Sequence, residues 1–133
     1  MSAKVYEQQW PLAVLAPVAY DDFVSGVAEA LAEIPGDAII TRGMYIPILA
    51  WDSATSAVMD IGDSVDDDEY TATPIDLKTA AAGTPVDFDI TGYQSLTVDE
   101  IIATVTVVGA PTEGNGLVYF EYVVQGRGNE VRG

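Results

Sequence analysis

The sequence predicts a single all-β domain, an antiparallel β-sandwich of jelly-roll type, and three observations carry that expectation. Two long runs towards the C-terminal end alternate apolar and polar residues with a period of two, the side-chain period of a half-buried strand. Glycine, proline and aspartate recur at short intervals, as turns between short strands require. The chain has 133 residues, 49% of them hydrophobic, which is one domain's length with enough apolar surface for one core.

The first element is the stretch from Trp10 to Ala19, which holds no charged residue and is interrupted by Pro11 and Pro17. An exposed edge strand of that composition would aggregate. The segment is therefore expected to be buried on both sides or to form a subunit interface, with Trp10, Leu12, Val14, Leu15 and Val18 as its contact residues. Asp22 to Ile34 fits two patterns. Phe23, Val24, Val27, Ala28 and Leu31 make a helical stripe that Asp21 or Asp22 could cap. Strand alternation also fits, with Val27, Glu29, Leu31 and Glu33 against Ala28, Ala30, Ala32 and Ile34, so the residues leave this segment open.

Ile39 to Trp51 is a long extended segment, and Pro47 within it demands an edge position or a bulge. Ala54 to Ile61 is a shorter strand that follows Asp52-Ser53. Pro85 to Ile90 sets Val86, Phe88 and Ile90 against Asp87 and Asp89, a half-buried strand with one acidic face. In Ile101 to Val108, the residues Ile101, Ala103, Val105 and Val107 form the apolar side. In Leu117 to Gln125, Val118, Phe120, Tyr122 and Val124 face the core. The connector Gly109 to Gly116 is rich in turn residues, so these last two runs are expected to pair antiparallel. The domain spans 1–133, with an N-terminal arm 1–9 and a C-terminal tail 126–133.

The side-chain inventory excludes most chemistry. Without cysteine or histidine there is no disulfide, no thiolate or imidazole metal site, and no Ser/His or Cys/His nucleophile pair. No enzyme activity, catalytic residue, cofactor or metal site is expected. The acidic run Asp60 to Tyr70 lacks the ligand spacing of an EF-hand loop. It reads as a hydrated loop, Asp63 to Glu69 exposed, with no need of Ca²⁺ for folding. The net charge of −16, from 21 acids and five cations, opposes phosphate binding, so nucleic acid is not an expected partner. Met1 to Gln9 carries one lysine with no apolar run behind it, and nothing reaches the roughly 20 apolar residues of a membrane span. No export signal and no membrane partner are expected. Lys4, Arg127 and Arg132 lie near the ends, while Arg42 and Lys78 are internal. The ends are the candidate docking points for an acidic partner.

A series of segments carries a resemblance. Pro35-Gly36-Asp37-Ala38-Ile39-Ile40-Thr41-Arg42-Gly43 is followed by Trp51-Asp52-Ser53-Ala54-Thr55-Ser56 and Ile61-Gly62-Asp63. Glu69-Tyr70-Thr71-Ala72 and Ile75-Asp76-Leu77 come next, then Thr97-Val98-Asp99-Glu100-Ile101, Pro111-Thr112-Glu113-Gly114 and Tyr122 to Val131. This order resembles the small virion structural proteins of tailed phages, of the capsid decoration or cement type, over residues 20 to 131. The resemblance implies a β-sandwich on the outer capsid surface of a virion, made in the host cytoplasm. It implies a homotrimer over local three-fold positions, with the major capsid protein as partner. It also tips Asp22 to Ile34 towards an extended form. The chain departs from the pattern in its Asp66-Asp67-Asp68 insert and its Glu7-Gln8-Gln9-Trp10-Pro11 start. Two alternatives stand beside it: a tail, neck or head-fibre component, and a carbohydrate-binding sandwich with Trp51 or Tyr70 as stacking platform.

Overall fold

A computed structural model of the chain describes residues 9–90 and 94–126. Among these residues, nine strands run in the order β1 (Leu12–Ala19), β2 (Ala28–Ile34), β3 (Ala38–Leu49), β4 (Ser56–Gly62), β5 (Ile75–Asp76), β6 (Val86–Asp87), β7 (Gln94–Ser95), β8 (Asp99–Val108) and β9 (Asn115–Val124). A single 3₁₀ turn, Tyr20–Asp22, is the one helical element among the described residues. One sheet has the order β1-β9-β3-β6, with β7 also on β3; the other has the order β2-β8-β4-β5. Every pairing is antiparallel. Interleaved orders of this kind, with successive strands crossing between two facing sheets, are those of a double Greek-key jelly roll. The predicted fold class is the observed one.

The strongest sequence signals became the central strands. Val118, Phe120 and Tyr122 of β9 are buried, Val124 packs against the core, and Ile101, Ala103 and Val105 of β8 face them from the other sheet. The expected pairing of these two runs did not form. β9 lies between β1 and β3, and β8 lies between β2 and β4, because Gly109 to Gly114 carries the chain from one sheet across to the other. The core centres on Phe120, whose ring stands 5.5 Å from Tyr70 edge-on and 5.3 Å from Phe88. Such aromatic pairs add about 0.5–1.5 kcal/mol to the burial itself.

Pro47 meets both of its requirements. The register between β3 and β9 slips between Pro47 and Leu49, and β6 pairs with β3 at Met44 and Tyr45, short of the proline. Asp22 to Ile34 resolves into the turn and β2. The register of β2 on β8 shifts between Ala30 and Ala32, a bulge with Leu31 turned towards the core. Pairing along β8 outweighs the modest helix propensity of alanine and glutamate, worth tenths of a kcal/mol per residue. The Pro85–Ile90 strand shrinks to two residues, although Phe88 is buried as expected.

Candidate interaction surfaces

The segment Trp10 to Ala19 is not buried on both sides. β1 forms one edge of its sheet and turns alternate residues inwards and outwards. Val18 is 1% exposed and belongs to the domain's own core, so its predicted role at a subunit interface is corrected. Leu12 and Val14 are half-buried against that core. Trp10 and Leu15, at 61% and 57% exposure, are the members of the predicted set that face outwards.

The phase of the ladder decides which backbone groups β1 leaves open. Tyr20 N–H donates to Gly114 C=O at 3.0 Å, continuing the register in which Ala19 lies opposite Asn115. In an antiparallel pair the bonded residues alternate. The backbone groups of the even-numbered residues of β1 therefore turn towards β9, and those of Ala13, Leu15, Pro17 and Ala19 turn to the open side. The N–H of Ala19 donates to Asp22 Oδ2 at 2.8 Å. At the other end the Gln9 carboxamide donates to Val124 C=O and accepts from Val124 N–H, both at 2.8 Å. It fills the place of one further backbone rung between the two strands.

The two outer faces differ in chemistry. On the β1-β9-β3 sheet, Leu15, Tyr119 and Met44 form one cross-strand row, and Pro17, Leu117 and Ile46 form the next. Glu121 lies opposite Arg42 and accepts from Tyr119 Oη at 2.7 Å. On the other sheet, Thr104 lies between Ala28 and Asp60, and Val58 lies between Thr106 and Asp76. One outer face is mainly apolar and the other is threonine- and aspartate-bearing. A groove of about 330 Å³ opens between the edges β1 and β2, lined by Val14, Ala16, Val18, Phe23 and Leu31 among others.

The acidic loop departs from expectation at its start. Asp63 is buried, at 3% exposure, not exposed. Its Oδ1 accepts from the N–H groups of Val65 and Asp66, both at 2.9 Å, while Oδ2 is buried without a partner. Gly62 makes this possible: a Cβ there would run into the backbone of Asp66 and Asp67. Asp66, Asp67 and Asp68 are exposed, and each can bring a carboxylate oxygen within 4.8 Å of the others. Hydrogen bonds from Asp68 hold the Asp66 carboxyl below the usual range, and the same contact raises that of Asp68. Burial, then the charge of Asp67, raises Asp60. Burial, then Asp63, raises Glu69. Asp66, Asp67 and Asp68 are crowded by one another's charge on the exposed part of the loop.

The docking residues Lys4, Arg127 and Arg132 lie outside the described residues, as do the arm before Gln9 and the tail beyond Gly126. Trp51 and Tyr70 are 3% and 4% exposed. Neither offers a free ring face, which removes the carbohydrate platform. Among the described residues no helix is long and apolar enough to cross a membrane.

No protein-family model and no curated protein matches the sequence. Solved structures do share the fold. A chain in the acidic stable capsid structure of Helicobacter pylori bacteriophage KHP30 superposes with a TM-score of 0.62 at 11% identity, over 84% of this chain and 86% of that one. A chain in the capsid asymmetric unit of cyanophage Pam1 gives 0.62 at 16% identity, over 93% of both chains. A chain in the capsid of Ralstonia phage GP4 gives 0.58 at 15% identity, over 94% of this chain and 90% of that one. The fold therefore recurs, at matching chain length, in chains of three phage capsid structures.

Proposed function

We propose that the chain is a structural, non-enzymatic component of a tailed-phage virion, and specifically a decoration or cement protein of the head. The observation that carries this reading is the end-to-end likeness to chains of the same size in three phage capsid structures. The chemistry supports it. A protein that fastens shell subunits together needs no nucleophile or general base, and this chain has neither cysteine nor histidine. A net charge of −16 is tolerable on the outer capsid surface, away from packaged nucleic acid.

On this reading the protein is a homotrimer over local three-fold positions of the major capsid protein. Lys4, Arg127 and Arg132 reach the shell, and the β1 side with Trp10 and Leu15 meets another copy. Contacts of exposed cations with acidic groups weaken with salt. The test is co-sedimentation of the purified protein with undecorated heads at low and high salt, with native mass measured in parallel. Binding is expected, weakened by salt and by the pair R127A and R132A or by removal of residues 1 to 9. A folded protein that never binds heads, or one found at the tail or neck in labelled virions, overturns the decoration role. At low protein concentration, a native mass other than three chains overturns the trimer.

A further inference from the structure

We propose that β1 is a self-pairing strand: it joins the β1 of a second copy antiparallel, across a two-fold axis through Val14. On its open side the strand has very few donors. Pro11 and Pro17 carry no N–H, and the N–H of Ala19 is held by Asp22. Between the two prolines, Ala13 and Leu15 turn both N–H and C=O outwards, by the ladder phase set by Tyr20 and Gly114. The window is symmetric about Val14: Ala13 and Leu15 flank it, and Pro11 and Pro17 frame it.

That symmetry selects the partner. With Ala13 opposite Leu15 of the other copy, the two bonded pairs exchange four hydrogen bonds, and each Pro11 falls opposite a Pro17 at the fraying ends. A shift of two residues either way sets a proline ring against a bonded residue. The centred register keeps both prolines out of the ladder. A second copy also suits the charge. Two chains of −16 each repel, and paired strands must approach to about 4.8 Å. The stretch Trp10 to Ala19, uncharged throughout, permits that approach. Pairing would also set Val14 against Val14 over the groove that Phe23 and Leu31 line, closing the open flank of each sandwich. A two-fold contact cannot close a trimer, so on the decoration reading the other copy that the β1 side meets belongs to an adjacent trimer. The pairing itself does not depend on that reading.

The chain has no cysteine, so a single introduced thiol reports cleanly. In the proposed register the two Val14 residues face each other at a non-bonded position, with Cα atoms about 4.5 Å apart, within reach of a disulfide. The two Ala16 residues are about 13 Å apart, four residues along the strand. Oxidised V14C is expected to run as a linked dimer on a non-reducing gel, both in concentrated solution and on heads, while A16C stays a single chain. Adding L15P to V14C is expected to abolish the link with the melting curve little moved, because the Leu15 N–H points away from β9. Equal linking of V14C and A16C, or none by V14C in either setting, overturns the pairing. V14C that links but never sediments with heads leaves the pairing standing and sinks the decoration reading. V14C that sediments without linking does the reverse.

Discussion

The two margins of the β1-β9-β3 sheet are built in opposite ways. Beyond β3 the sheet is finished by two scraps of strand, β6 and β7, each two residues long and set apart along β3. Short, interrupted edge strands are an ordinary device against unwanted pairing. Beyond β9 lies β1, eight regular residues with no charge. It is guarded by two prolines and by Asp22, and open between them. Among the described residues, one margin of the sheet is blunted and the other presents a regular strand.

Substitutions should separate the interior that both margins share from each margin in turn. The largest effect is expected at Phe120, where Tyr70 and Phe88 converge from the β6 side. Phe120→Ala should cost about 3–5 kcal/mol, read as a denaturant midpoint shift at unchanged slope. Gly43→Ala strikes the blunted margin, because a Cβ there would sit 2.6 Å from the Phe88 ring. About 1–3 kcal/mol of overpacking is expected from the same measurement. Asp63→Ala removes the acceptor that closes the loop after β4 and should cost about 1–3 kcal/mol. Asp63→Asn, which keeps an acceptor for the N–H groups of Val65 and Asp66, should cost less. Leu15→Asp at the open margin should leave monomer stability within about 0.5 kcal/mol, as exposed positions do, while weakening any association through β1.

Acid should act in two phases. Asp60 and Glu69 are raised, so each bears a folded-state penalty above its raised value that protonation relieves as the pH falls. Hydrogen bonds from Thr112 hold Asp52 low. Burial opposes the same trend at Asp99, where bonds from Ser64 and the Glu100 N–H win. The stability those two contribute is present above the ordinary carboxyl range and is lost as the pH drops through it. A small rise in melting temperature is expected as the pH falls from neutral towards the carboxyl range, then a fall within and below that range. Asp60→Asn should flatten the rise and leave the fall.

Much of this fold was legible because its central strands carry unmixed patterns. β8 and β9 alternate strictly, and Pro47 announced the register slip in β3. Other features depend on neighbours that sequence cannot supply. An alanine- and glutamate-rich segment became β2 because β8 offered a ladder. The connector between β8 and β9 looked like a hairpin turn and proved to be a crossing between sheets. The burial of Asp63 turns on Gly62, whose missing side chain admits the backbone of Asp66 and Asp67. The uncharged stretch of β1 was visible at once, but not which of its residues open outwards. That depends on the phase of the hydrogen bonds with β9, and Tyr20 and Gly114 set it.

The Gln9 clasp has a mechanical meaning. Its carboxamide grips Val124 where the chain enters β1 and leaves β9, so the described chain begins and ends at one corner of the sheet. A load applied at that corner would pull β1 and β9 in the same direction. The strands would carry that tension along their length, into the middle of the sheet. The force would not peel them apart one rung at a time, which is how a hairpin fails most easily.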